Sequence, residues 1–481
     1  MTTKVVVLDV IGLSDSLISE QNTPFVYERW QKGHRNITGA FPALTCVSQA
    51  TFLTGKTPSE HGITANGFYD KAMKEVRNWH QSRALVQSKR IYDIIKERHP
   101  SAITFANCAW HNMYDDAIDI MIAPRPQYMK DGRKFADIYT KPSHLRDQLQ
   151  NELGTFPLHN FWGPMSNIKS SRWIADASRK IELDYNPDFS FIYLPHLDYV
   201  LQKHGPESGD VVASELRLID ELVKDLVLFY EERKAEVIML SEYGICTVGT
   251  PIHINKILNE AGFLALRRER NGYTLDCGAS RAFALADHQI ALIHVANKRD
   301  VFAVKKVLKD TPDIESVFDH DDAPEWVRQM FHEDRCGEVI CIAQKSAWFT
   351  YYYWLKDSDA PDYAPTVAIH EKPGYDPCEL LVSYPKFLGE WFGYVNLFLK
   401  AILSQICRLR VLVNATPFTE DAAKTICGSH GRDDKGTEPI IIASGFATGQ
   451  KDQGTIEATE VYEILLTHIF QKNNFTKTSE A

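Results

Sequence analysis

Short apolar runs recur along this chain at residues 5–8 (VVVL), 103–106 (ITFA), 189–194 (FSFIYL), 237–240 (VIML) and 440–443 (IIIA). Each is followed by a polar or glycine-containing turn, and helical patterns lie between them, as at 91–98 and 213–233. That alternation restricts the fold to an α/β class with a mainly parallel central sheet flanked by helices. In such sheets, sites form beyond the carboxyl ends of the strands. Asp9, Asp198, Glu242 and His430 each fall just after one of these runs or on a nearby loop, so the topology itself predicts that they converge.

A second feature supplies chemistry. Thr45 opens an amphipathic run that ends at Thr54-Gly55 and continues through Pro58-Ser59-Glu60-His61-Gly62-Ile63. A hydroxyl at a helix start, with a strand-end carboxylate such as Asp9 upstream, is the raw material of a metal-activated nucleophile. The carboxylate holds a cation, the cation lowers the hydroxyl pKa, and the helix N-terminus favours the resulting negative charge. Taken alone, a threonine such as Thr45 is most often an N-cap, a role that can coexist with attack.

The 481 residues hold material for two or three domains, or for one large core with an insertion. From about 258 to 414 the texture changes to short β-like runs, acidic turns and a dense aromatic stretch at 349–354. We therefore divide the chain into a first core part (1–257), an inserted α+β cap (258–414), a return to the core (415–471) and a polar tail (472–481). A net charge of −10 argues against a general nucleic-acid or polyanion binder. The apolar stretch 392–415 is interrupted by Lys400, Gln405, Arg408 and Arg410; it reads as a buried or amphipathic helix, not a membrane span. No basic-then-apolar leader precedes the first strand, and nine cysteines are scattered without Cys-x-x-Cys pairs. Both readings point to a cytoplasmic protein with reduced thiols and no membrane partner.

Together these segments resemble the alkaline phosphatase superfamily, in particular its nucleotide pyrophosphatase/phosphodiesterase and phosphonoacetate hydrolase branch. The resemblance covers the first 130 residues, then 189–255 and 426–445. It implies an alkaline-phosphatase-like core in which Asp9 and Thr45 bind metal and Thr45 attacks phosphorus. Thr54-Gly55 stand nine and ten residues beyond Thr45, as in the family. Asn66, just after His61-Gly62-Ile63, matches the asparagine that contacts the transferred phosphoryl oxygen. The later ligands depart from the pattern. Asp198-Tyr199-Val200-Leu201-Gln202 has glutamine where a histidine is expected, and Ser241-Glu242-Tyr243-Gly244 has Glu for Asp and Tyr for His. His430 keeps the last histidine. The chain thus resembles a divergent bacterial subgroup of that superfamily.

The resemblance implies a metal-dependent hydrolase of a small-molecule phosphate ester, working through a phosphothreonine intermediate, with two divalent ions. The metal set would be Asp9, Thr45, Asp198, Gln202, Glu242 and His430. Because two imidazoles are replaced by oxygen-bearing side chains, Mn²⁺ or Mg²⁺ is favoured over Zn²⁺. Tyr243, His196, His204 and His370 are further candidate ligands, and Lys372 and Arg432 candidate cations for an anionic substrate. A diester is preferred over a monoester because no extra cationic group stands out. Phosphomonoester or phosphonate hydrolysis and a retired, binding-only descendant are the alternatives. A sulfatase is disfavoured: Cys46 is not followed by the Cys-x-Pro-x-Arg pattern. Asp287-His288-Gln289 reads as a buried structural network within a strand-like run.

Overall fold

The computed structural model describes residues 3–38, 40–385, 388–408, 415–446 and 454–470. Its centre is a nine-stranded sheet in the order Thr455–Glu457, His34–Thr38, Ile440–Ile442, Glu236–Leu240, Val5–Val10, Phe189–Leu194, Thr104–Asn107, Ile120–Pro124, Ile138–Lys141. The five strands from Glu236–Leu240 to Ile120–Pro124 are parallel to their neighbours. Ile440–Ile442 runs antiparallel to both strands beside it, and Ile138–Lys141 antiparallel to Ile120–Pro124. The mainly parallel α/β sheet expected from the sequence is therefore observed, with an antiparallel strand where the chain returns at 440.

The period-2 geometry of a strand explains why the central runs are apolar throughout: both faces are covered. Val5 and Val7 belong to the core shared with the helices Thr45–Thr54, Ile91–Arg98 and Glu460–Phe470. Val6, Leu8 and Val10 pack instead against Lys169–Tyr185 and Gly209–Glu231. The same alternation turns Asp9 toward the face that carries Thr45–Thr54.

A second sheet, entirely antiparallel, has the order Ala282–Asp287, Ile290–Val295, Val339–Ala343, Ile314–Asp319. Its Leu285, Ile290, Leu292, Ile340 and Ile342 join the core of the first sheet. Its other face, with Ala284, Ala291, Ile293 and Cys341, is covered by Val304 and Leu308 of the helix Val301–Lys309. The aromatic stretch packs as its own cluster around Trp348, Tyr351, Tyr352, Tyr353 and Trp354.

The expected late helix is found at Glu390–Cys407; only its Gly393 is buried, so of the two readings, buried or amphipathic, the buried one is excluded. The polar tail lies outside the described residues. All nine cysteines are free. Among the described residues no helix is long and apolar enough to cross a membrane.

Candidate active site

Thr45 is the first helical residue of Thr45–Thr54, and Leu44 occupies the N-cap without a side-chain capping bond. The hydroxyl is therefore free of the capping role the sequence allowed. It lies 2.9 Å from the Tyr243 hydroxyl and faces a cavity of about 630 Å³. The cavity wall also includes Asp198, Tyr243 and His288, and an aromatic lining of Trp79, Trp110, Trp162, Tyr199 and Tyr375.

Asp9 and Glu242 come from adjacent parallel strands, Asp9 near the end of Val5–Val10 and Glu242 two residues past Glu236–Leu240. Both are fully buried. Gln49 sits one turn along the helix from Thr45. Its amide nitrogen donates to Glu242 Oε1 at 2.8 Å and reaches Asp9 Oδ2 at 3.5 Å. Burial lifts Asp9 to about 7, against hydrogen bonds that lower it. Burial and then the neighbouring Asp9 charge raise Glu242 well above the carboxylate range. Asp9 Oδ1 and Glu242 Oε2 have no hydrogen-bond partner.

A second acidic position lies on the cavity wall, at Asp198. Asp198 and Gln202 share one face of the helix His196–His204, and the Gln202 amide donates to both Asp198 carboxylate oxygens at 3.0 Å. Gln202 Oε1 in turn accepts from the Tyr375 hydroxyl at 2.7 Å. Burial raises Asp198 to about 7. His430 Nδ1 bonds the Ala43 carbonyl at 2.7 Å, which turns Nε2 toward Asp198 Oδ1, 3.7 Å away and without a hydrogen-bond partner. Burial holds His430 down to about 3, so its ring is neutral and Nε2 carries a lone pair.

Asn66 makes four hydrogen bonds, one of them through its backbone carbonyl, which accepts from the Trp79 N–H at 3.0 Å. Its side-chain oxygen accepts from the Cys46 N–H at 3.1 Å, while its backbone N–H and Nδ2 donate to Asp287 at 2.9 and 3.1 Å. The Cys46 N–H is thus engaged by Asn66.

Asp287 and His288 lie in a buried polar network, as the sequence suggested, and that network reaches Asn66 and His430. Asp287 pairs with Ile290, so His288-Gln289 form a two-residue hairpin tip. His288 adopts φ 59°, a conformation costly outside glycine. It is held between His430 and Tyr375, at ring separations of 3.6 and 3.7 Å. Tyr243 extends the stack, 3.7 Å from His430 and nearly parallel to it. The available signal was a two-residue polar interruption between alternating apolar runs. Gln49 was also legible, as a lone amide at i+4 from Thr45 on an apolar helix.

The other candidates sit elsewhere. His196 bonds Glu215 at 2.7 Å, toward the neighbouring helix. His204 ends its own helix outside the cavity lining. His370 lines the cavity but bonds the Asn78 carbonyl. Lys372 is buried between Asp376 and Glu379, each 2.7 Å away. Arg432 is paired with Asp434 and Glu315. Arg125 and Lys134 are the basic residues that line the cavity.

The fold and this arrangement define an alkaline-phosphatase-like α/β protein, with a helix-start hydroxyl facing carboxylates from neighbouring strand ends. The chain belongs to the type I phosphodiesterase/nucleotide pyrophosphatase family, whose model matches residues 5–376. Ectonucleotide pyrophosphatase/phosphodiesterase 1 of Saccharomyces cerevisiae is 23% identical over 277 residues. The match takes in 52% of this chain but 35% of that protein, so the chain corresponds to about a third of its length. Two solved structures share the fold. An inactive threonine-to-alanine variant of murine ectonucleotide pyrophosphatase/phosphodiesterase 5, in complex with AMP, is 14% identical, with TM-score 0.58 over 98% of this chain and 96% of that one. Phosphonoacetate hydrolase from Sinorhizobium meliloti, in complex with phosphonoformate, is 12% identical, with TM-score 0.57 over 97% and 96%.

Proposed function

We propose that this chain is a metal-dependent phosphodiesterase with Thr45 as its nucleophile. The observation that carries this reading is the Thr45 hydroxyl at a helix start, open to the cavity, beside the partnerless carboxylate oxygens of Asp9 and Glu242. Among the described residues no group of three or more His, Cys, Asp or Glu forms a ready cage. The donors instead come as two pairs, Asp9 with Glu242 and Asp198 with His430, supplemented by hydroxyl and amide oxygens. Buried carboxylates without a cationic side chain fit a divalent ion, and an oxygen-rich set fits Mn²⁺ or Mg²⁺ better than Zn²⁺. Asp9, Glu242 and Thr45 would hold one ion, and Asp198 and His430, with Gln202, a second. Bound there, such ions supply Lewis-acid activation of the hydroxyl and offset developing negative charge.

The chain's own groups do the rest. Thr45 Oγ forms a bond to phosphorus as the ester bond to the leaving oxygen breaks, and the Thr45 proton passes to Glu242, whose carboxylate lies beside it. Asn66 Nδ2, held by Asp287, faces the equatorial oxygens. Water then attacks the phosphothreonine, and Thr45 regains its proton. Lys372 and Arg432 are committed to carboxylates and so are not held ready for a terminal phosphate, which favours a diester; the cations of the cavity wall are Arg125 and Lys134. The aromatic lining suits a leaving group with a flat or apolar body. A nucleotide ester is one such substrate, in keeping with the AMP bound by the murine relative.

A binding protein that has lost its chemistry is the second reading. It is favoured by Asp287 engaging both Asn66 donors and by Gln202 closing on Asp198. Hydrolysis of bis-(p-nitrophenyl) phosphate and p-nitrophenyl phosphate, with Mn²⁺, Mg²⁺, Zn²⁺ or Ca²⁺ added, separates them. Diester cleavage that requires metal and disappears in Thr45→Ala supports the enzyme. Protein that retains no metal and turns over neither ester supports the binding protein.

A further inference from the structure

The helix Glu390–Cys407 faces the wrong way for a helix that belongs to a core. Trp391, Val395, Phe398, Ile402 and Ile406 form one stripe at helical spacing, flanked by Phe392, Leu399 and Leu403. Trp391 and Ile406 are 75% exposed and Phe398 65%. The side turned to the body carries smaller and polar groups. Gly393 lies against Val382, Ser383 and Tyr384, the Tyr394 hydroxyl is 3.3 Å from Lys203 Nζ, and Gln405 is 3.5 Å from Arg133. A surface helix ordinarily turns its apolar stripe inward, and soluble proteins rarely leave a contiguous apolar patch of this size uncovered.

The charge around the stripe says what covers it. Arg133 ties the helix to the hairpin Gln127–Tyr128/Lys134–Phe135, which also carries Arg125 and Lys130 at its base and tip. Lys400 and Arg408 stand on the helix or at its end. Among the described residues, Arg125, Lys130, Lys134, Lys400 and Arg408 make no ion pair with a carboxylate. In a chain of net charge −10 this is a local reversal of sign beside an apolar stripe. The patch also meets the rim of the cavity. Tyr128 and Lys134 line it, and so does Trp162, two residues from Pro164, whose carbonyl is 3.4 Å from the Tyr394 hydroxyl.

We propose that this helix and the basic hairpin form a docking surface for an anionic lipid interface. The helix lies in the plane of the headgroups, with its stripe toward the acyl chains. Aromatic residues at one end, an apolar face and bordering cations are the combination that seats a helix at such an interface without spanning it. A second copy of the chain is a poorer occupant: a two-fold contact on this patch would bring clusters of like charge together. Docking of this kind sets the cavity mouth against the membrane surface. It is independent of the reaction proposed above.

Cosedimentation of the full-length chain with vesicles tests it, comparing phosphatidylcholine alone with phosphatidylcholine plus phosphatidylglycerol. The expected result is binding to the anionic vesicles, weakened by salt and reduced by about tenfold or more in Phe398→Glu/Ile402→Glu. Lys130→Glu/Lys400→Glu should weaken binding to the anionic vesicles. Both double variants should keep the parent's thermal unfolding, since these side chains are exposed or half-exposed. Equal binding to the two vesicle types, or none to either, would overturn the proposal. So would a dimer in light scattering that Phe398→Glu/Ile402→Glu converts to monomer, because the stripe would then be an interface between copies.

Discussion

Asp287 grips Asn66 with both carboxylate oxygens: Oδ2 accepts from the Asn66 backbone N–H at 2.9 Å, and Oδ1 from Nδ2 at 3.1 Å. Asn66 passes that constraint to the Thr45 helix through its bond from the Cys46 N–H. The second sheet thereby fixes a group beside the nucleophile of the first. Asn66→Ala should lower kcat by roughly 100- to 1,000-fold, as removal of one preorganised donor does. Asp287→Ala should lower kcat by roughly 10- to 100-fold with KM little changed, and add almost nothing in the double variant. Steady-state kinetics on a soluble diester reads all three. A rise in kcat for Asp287→Ala would instead identify Asp287 as a competitor for the Asn66 donors.

Metal preference should follow the two lost imidazoles. Dialysed protein should take up Mn²⁺ or Mg²⁺ in preference to Zn²⁺, because carboxylate, amide and hydroxyl oxygens outnumber the His430 nitrogen in the proposed donor set. Gln202→His/Tyr243→His should shift retention toward Zn²⁺. Metal analysis after dialysis against equal concentrations of the three ions checks this. Stoichiometric zinc in the unmodified chain would contradict it.

The buried acids set a pH dependence with a definite sign. Burial raises Asp9, Asp198 and Asp287 from 3.8 to about 7. Between those values the folded chain holds protons that the unfolded chain has released. Through that window these acids make the metal-free protein less stable as pH rises. Buried histidines held low, His61, His111 and His430 at about 3 and His253 and His294 at about 4, act in the opposite sense up to about 6.5. Thermal unfolding in chelator, scanned across that range, should show the acids' decline in the difference between the parent and Asp198→Asn/Asp287→Asn, in which the histidine contribution cancels. Added Mn²⁺ should reverse it on the alkaline side, because a cation favours the ionised carboxylates.

The sheet was legible because strands buried in mid-sheet must be apolar on both faces, and five such runs, four of them parallel strands, stood out between helical patterns. The position of Asp9 was legible for the same reason, as a single carboxylate in a run otherwise apolar. The hairpin tip at His288 was harder. Its neighbours form an apolar strand pair, and nothing local distinguishes a tip aimed at a distant Asn66 from one that merely closes a hairpin. The outward stripe at 391–406 was harder still. Periodicity locates an amphipathic face, but whether that face turns inward depends on what the rest of the chain leaves uncovered.

Lys372 separates a structural cation from a substrate-binding one. It is 1% exposed and lies 2.7 Å from both Asp376 and Glu379, so its charge serves two carboxylates that would otherwise be buried unpaired. Lys372→Met should destabilise the fold by about 3–5 kcal/mol, the usual result of breaking a buried pair from one side. Chemical denaturation measures that loss. Lys372→Met/Asp376→Asn/Glu379→Gln should recover much of it, since no unpaired charge remains. In both variants, kcat/KM for a diester, corrected for the folded fraction, should stay near the parent value. A selective rise in KM for an anionic ester would mean that Lys372 reaches the substrate, a role its two carboxylate partners argue against.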